Sequence, residues 1–164
     1  MRKKSEESLF EGYSVEKKPL REYAILMGVL HASVAAGILA VSRSRRGLPK
    51  RMNQTDLVVL SLASHKLARL IAKDKVTSPL RAPFTQFEGA AGSGEVNEVE
   101  RGSGMRRTIG ELITCPYCVS VWAAGALVLG HAMNPRATRV VSSILAITAV
   151  SHFLNQGYSK MKGD

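Results

Sequence analysis

Two thiols three residues apart, in Cys115-Pro116-Tyr117-Cys118, are the groups most able to do chemistry in this 164-residue chain. They stand where a polar stretch gives way to an apolar helix, TIGELITCPYCVSVWAAGALVLGHA over residues 108–132. A thiolate at a helix N-terminus is stabilised by free backbone N–H groups and the helix dipole, which lowers its pKa and raises its reactivity. The spacing allows three readings: a redox dithiol, half of a zinc or iron–sulfur site, or two small residues that pack a helix start. A metal site needs more ligands, from a histidine or from a second protomer. His152 is expected at the membrane level of Cys118, so Cys115, Cys118 and His152 form the candidate ligand set. His131 is thirteen residues past Cys118, roughly 20 Å along a helix, and cannot share that site.

A second cluster is Arg69, Asp74 and Arg81, in ARLIAKDKVTSPLR. Arginine grips a carboxylate through two parallel hydrogen bonds, so these residues could tie a loop to the membrane surface. Pro116 and Trp122 accompany the cysteines as structural residues. His31 and His65 fall near mid-membrane and could meet in a proton or ion path, although no intramembrane carboxylate accompanies them. Glu88, Glu95, Glu98 and Glu100 read as solvated. CPYC is also the dithiol sequence of glutaredoxins, but no βαβ pattern surrounds it and an apolar helix follows directly. The chain has no Ser/His/Asp order with elbow glycines, no P-loop, no HExxH and no GxGxxG, and the balance is against an enzyme.

The elements that must position these groups are helical. Residues 1–22 form a polar tail. Residues 23–41 carry no formal charge, and as a helix they would cover roughly one hydrocarbon thickness. The polar lead is too long and the apolar run too extended for a cleavable signal. Gly28, Ala32 and Ala36 repeat every four residues, a spacing that lets another helix come close. Residues 42–56 make a basic loop, with Asn53 or Thr55 capping the next helix. Residues 57–72 are either a short span with Ser61, His65 and Arg69 on one face or a helix lying in the interface; the span is favoured.

Residues 73–107 read as a Gly/Glu-rich loop in which Pro79 and Pro83 exclude a regular helix, with EVNEVERG over 95–102 as a short extended piece. Thr108 and Glu111 have the spacing of a capping box, and Pro116 restarts or kinks the helix that runs to residue 133. Ser120, Ala124, Ala126 and Gly130 are small residues suited to helix packing. A turn follows at Asn134–Arg139, then a short span over 140–154 and a polar tail over 155–164. The fold class is all-α: a small polytopic membrane protein with three to four transmembrane helices and one Gly/Glu-rich loop.

The formal net charge is +10, but the charges lie between long uncharged runs rather than along one face. That layout argues against nucleic acid and for loops that meet anionic headgroups of a lipid bilayer. With four spans, fourteen Lys/Arg fall on the side of the termini and the cysteine loop and seven on the other. The excess places both termini and CPYC in the cytoplasm.

LASHKLARLIAKDKVTSPLRAPF followed by GELITCPYCVSVWAA resembles the domain-of-unknown-function family 1360, small bacterial membrane proteins with one sporulation-associated branch. The resemblance runs from about Thr55 to Leu154. It rests on the Arg-x4-Asp-x6-Arg spacing at Arg69, Asp74 and Arg81 and on CPxCxxxW at Cys115, Pro116, Cys118 and Trp122. It implies a bacterial cytoplasmic membrane location and one site, on one membrane face, joining the cysteines to the Arg/Asp cluster. The expected function is a non-enzymatic membrane component that binds a membrane partner or forms a homo-oligomer; the alternative is a thiol redox or metal protein.

Overall fold

In the computed structural model, which describes Tyr13 and residues 18–44, 47–49 and 51–163, four long helices lie side by side with a small folded head at one end. The helices are α1 (Leu20–Arg43), α2 (Gln54–Ala72), α5 (Pro116–Met133) and α6 (Pro135–Lys162). The head contains a 3₁₀ turn (Lys75–Thr77), the single-turn α3 (Ser78–Arg81), the strands β1 (Thr85–Gly92) and β2 (Glu95–Glu100), and α4 (Met105–Thr114). Three helices, α1, α5 and α6, are long and apolar enough to cross a membrane. The polar tail expected over residues 1–22 lies largely outside the described residues, as do residues 45, 46 and 50 of the basic loop.

The one long helix among the described residues that lacks a sufficiently apolar run to cross a membrane on its own is the centre of the bundle. Six residues of α2 are buried: Leu60, Ala63, Ser64, Lys66, Ala68 and Ala72. It runs antiparallel to α5, with Leu60 and Ala63 against Leu127 at one end and Ala68 and Ala72 against Val119 at the other. It runs parallel to α6, since Asp56 meets Arg139 and His65 stacks on Phe153. So α2 occupies the same depth as its two apolar neighbours. Among the described residues, six of the eleven buried apolar side chains are alanine. Small side chains let helix backbones approach closely, and in lipid that dispersion contact drives helix association. Large residues face outward instead: Ile25, Val29, Ile144, Ile147 and Leu154 are all exposed.

Helix α1 leans on α5 through Val34 near Gly125 and Gly37 against Leu129. The Gly28, Ala32, Ala36 stripe does not make this contact. Gly28 has open space beside it, and Ala32 and Ala36 are exposed. On α5 the buried positions are Val119, Ala123 and Leu127, while Ala126 is exposed.

The all-α expectation is corrected by the head. Residues 85–100 form an antiparallel hairpin, with Thr85 opposite Glu100 and Gly92 opposite Glu95. The two-residue loop Ser93-Gly94 has φ of 52° and 80°. Positive φ at both central positions is what a tight type I′ hairpin turn demands, because its twist matches that of the strands. The final helix is also longer than expected. Only Asn134 interrupts the chain, capping α6 by accepting a hydrogen bond from Ala137 N–H at 3.3 Å, and the helix then continues for 28 residues.

The capping box at Thr108 and Glu111 is not formed. Helix α4 begins three residues earlier, at Met105. Thr108 is buried inside it and donates its hydroxyl back to the Gly104 carbonyl at 3.1 Å. Glu111 accepts instead from the Tyr23 hydroxyl and from Arg107. The break at Pro116 does occur: α4 stops at Thr114, and Pro116 opens α5, where a missing N–H costs nothing.

Candidate functional site

The Arg69, Asp74, Arg81 spacing works as a fastening, with partners other than those its sequence suggests. Arg69 donates from Nε and Nη2 to Glu95 Oε1 at 2.9 and 2.6 Å, tying α2 to the hairpin turn. Asp74 takes the Lys66 ammonium at 2.6 Å. That contact neutralises a lysine whose side chain is only 6% exposed; burying it alone would carry a large desolvation cost. Asp74 also shares a bridge with Glu95, which starts β2 beside the end of α2.

Arg81 is the most completely enclosed large side chain among the described residues. Its Nε donates to Glu98 at 2.7 Å, its Nη1 to the Ile71 carbonyl at 2.7 Å, and its Nη2 to the Asp74 carbonyl at 3.2 Å. One guanidinium thus holds the end of α2, the turn after it and the second strand. Thr77 and Thr85 complete the shell, the latter donating to Glu98 at 3.0 Å. Burial pushes the Glu98 carboxyl pKa up. The hydrogen bonds from Arg81, Ser78 and Thr85 and the Arg81 charge outweigh that and hold it below its ordinary range. Glu95 and Glu98 are therefore not solvated acids but the structural partners of the two arginines.

Beside this head lies the cysteine helix start. Cys115 is the N-cap of α5, its sulfur accepting the Cys118 N–H at 3.3 Å. The two sulfurs are 2.7 Å apart and both are free thiols. Pro116 and Tyr117 share an open groove with Ser61, His65 and Arg69, so the polar face of α2 and the CPYC turn do meet. Trp122 is half-buried on α5. His152 lines a different cavity, between α2, α6 and the hairpin turn. Among the described residues no three His, Cys, Asp or Glu side chains gather in a way that could hold a metal ion. The Cys115, Cys118, His152 set is thus not assembled within one chain. His31 and His65 are not joined either: His31 Nδ1 bonds the Met27 carbonyl at 2.7 Å, and His65 stacks on Phe153 with ring centres 5.5 Å apart.

At the opposite end of the bundle is an ion cluster that the sequence did not announce. Arg139 forks onto both oxygens of Asp56 at 2.9 and 2.8 Å, with His131 at 3.6 Å from the same carboxylate. Asp56 was legible only as a favourable charge in a first helical turn, because its partner lies 83 residues away.

The family model described as a protein of unknown function (DUF1360) matches residues 59–158, from within α2 to near the end of α6. Two relatives come from Bacillus subtilis (strain 168). Sporulation protein YjcA is 38% identical over 112 residues, which is 66% of this chain and 95% of that protein. UPF0713 protein YngL is 30% identical over 104 residues, 63% of this chain and 78% of that protein. No solved structure matches the chain. The matched region holds both arginines, both glutamate partners and the CPYC turn, and the chain belongs to the DUF1360 family.

Proposed function

We propose that this protein is an integral component of a bacterial cytoplasmic membrane that crosses it four times and uses its cytoplasmic head to dock a protein partner or a second copy. The observation that carries this reading is a head fastened by ion pairs with apolar side chains left outside. Buried ion pairs join α2 to the turn after it and Arg81 to the hairpin, yet Val76, Leu80, Phe87 and Tyr117 are 63–85% exposed around them. A scaffold that spends buried charge on fixing a small platform, and then presents hydrophobic residues from it, fits a binding surface. The depth shared by α2, α5 and α6 supports four crossings, and the excess of Lys/Arg on the head side supports a cytoplasmic head. The name of the sporulation relative points to sporulating cells as the setting in which to look.

The test is a photo-reactive residue placed at Val76 or Phe87 and, as a comparison, at lipid-facing Ile144, in cells. Protein adducts from the first two and none from Ile144 are expected, with adduct mass separating a partner from a second copy. Absence of protein adducts at both head positions would sink the reading.

A second reading is favoured by one observation, the 2.7 Å between the Cys115 and Cys118 sulfurs. A disulfide-class oxidant could take two electrons and two protons from this pair and leave a Cys115–Cys118 disulfide. A zinc or iron–sulfur site would need ligands from a second copy. The Cys115→Ser, Cys118→Ser double variant separates these readings from docking: it abolishes oxidation or metal uptake and leaves the head adducts intact.

A further inference from the structure

A cavity of about 610 Å³ lies between α2, α6 and the tip of the hairpin. Its volume is in the range of small-ligand sites, but its lining is unlike an apolar pocket. Among the described residues, Lys66, Arg69 and Lys160 face it against a single carboxylate, Glu95, and His65 and His152 add two imidazoles. Neutral donors complete the wall, among them Ser93, Asn155 and Gln156.

Two of the three cations, Arg69 and Lys66, are held in place by carboxylates. Glu95 engages Nε and Nη2 of Arg69, and among the described residues no hydrogen bond uses its Nη1. Lys66 is anchored from behind by Asp74. Lys160 has no carboxylate partner among the described residues. Fixed guanidinium and ammonium groups beside neutral N–H and O–H donors are suited to phosphate oxygens, which accept several charge-assisted hydrogen bonds at once.

The position selects the source. The cavity sits where α6, an apolar candidate span, emerges beside the folded head. His65 and Arg69 also line the groove between α2 and α5, whose other walls include Leu57, Leu60, Val121 and Val128. A phosphate seated at Arg69 therefore has a groove with apolar walls next to it on the bundle surface. We propose that this cavity is a binding site for a phosphate-bearing anionic headgroup, supplied by a phospholipid of the surrounding leaflet. Basic pockets on the cytoplasmic side of membrane helices recognise anionic headgroups through this combination of charge and depth.

The lipid source rests on the membrane reading above. Failure of that reading would appear as protein recovered without detergent, whereas failure of the site would appear as indifference to headgroup charge. The experiment is native mass spectrometry of the full chain in detergent, with added phosphatidylglycerol or phosphatidylcholine, and separately with inorganic phosphate. The expected result is preferential retention of one phosphatidylglycerol per chain. Lys160→Gln should weaken it about fivefold, the effect of one cation near a membrane surface, and Lys160→Glu further. Arg136→Gln, exposed at the far end of the bundle, should change nothing. Inorganic phosphate retained without lipid selectivity, and lost in Lys160→Gln, would keep the phosphate chemistry and overturn the lipid source. Equal retention of both lipids with no phosphate binding, or an equal effect from Arg136→Gln, would overturn the site itself.

Discussion

Arg81 and Glu98, 17 residues apart in the chain, form an ion pair at 2.7 Å in which both side chains are almost wholly removed from water, at 1% and 5% exposure. The pair is where the helical bundle becomes a folded head. Breaking one partner of such a pair leaves an uncompensated buried charge, and the cost is typically about 3–5 kcal/mol. Arg81→Met should therefore loosen the hairpin, read as faster amide exchange across residues 85–100 while α5 and α6 keep their protection. Arg81→Lys should fail nearly as badly. An ammonium cannot reach Glu98 and two backbone carbonyls at once with the planar spread of a guanidinium.

The same pair sets a pH dependence. The folded Glu98 carboxyl titrates below its ordinary value of 4.5. A depressed folded pKa contributes stability that is fully present above the unfolded value and disappears as pH falls through the folded one. Amide protection in the hairpin, corrected for the intrinsic pH dependence of exchange, should fall in acid below that window and be flat from pH 5 to 7. Glu98→Gln should remove the acid response and give a looser hairpin already at neutral pH. A head equally protected at pH 3 and pH 6 would contradict the assignment.

Gly110 lies where α4 presses on the hairpin. A Cβ there would come within 2.6 Å of the Phe84 carbonyl oxygen and 3.0 Å of Glu100 Cβ. Backbone cannot yield as a flexible side chain can, so Gly110→Ala should push α4 off the strands at a cost of about 1–3 kcal/mol. Protease sensitivity of the head in detergent would measure it. Gly28→Ala, in open space on α1, should leave that sensitivity unchanged.

Ser142 is an opposite case. Its side chain is 1% exposed and its hydroxyl oxygen has no hydrogen-bond partner among the described residues. Removing an unsatisfied buried hydroxyl without leaving a cavity is neutral or favourable, so Ser142→Ala should hold or raise the unfolding midpoint in detergent, by up to about 1 kcal/mol. A loss larger than that would mean the hydroxyl has an ordered partner.

What the sequence revealed and what it hid follow one physical line. Long uncharged runs and prolines are local signals, so the apolar helices and the break before Pro116 could be read directly. Arg69 and Arg81 stood out as arginines at a helix end and after a proline. Their carboxylate partners did not, because Glu95 and Glu98 sit among other glutamates in a Gly-rich stretch and only the folded hairpin selects two of them for burial. The Gly-Ser-Gly run at 92–94 is a turn signal in the sequence and EVNEVERG reads as extended, but β1, with few apolar residues, gives no matching signal for a hairpin. The Thr108–Glu111 spacing misled for the reverse reason. A capping box is a local pattern, and here Tyr23 and Arg107 claim Glu111 instead.

The central place of α2 also bears on how the protein is made. A lysine or arginine costs about 2.5–3.5 kcal/mol at the middle of a lone helix and less towards its end, where α2 carries Lys66 and Arg69. Their carboxylates, Asp74 and Glu95, emerge from the ribosome after the helix they neutralise, and the alanine-lined faces of α5 and α6 later still. On the four-crossing reading, the ion partners and packing faces that offset these charges are available only after α2 has been synthesised, so the centre of the bundle is completed last.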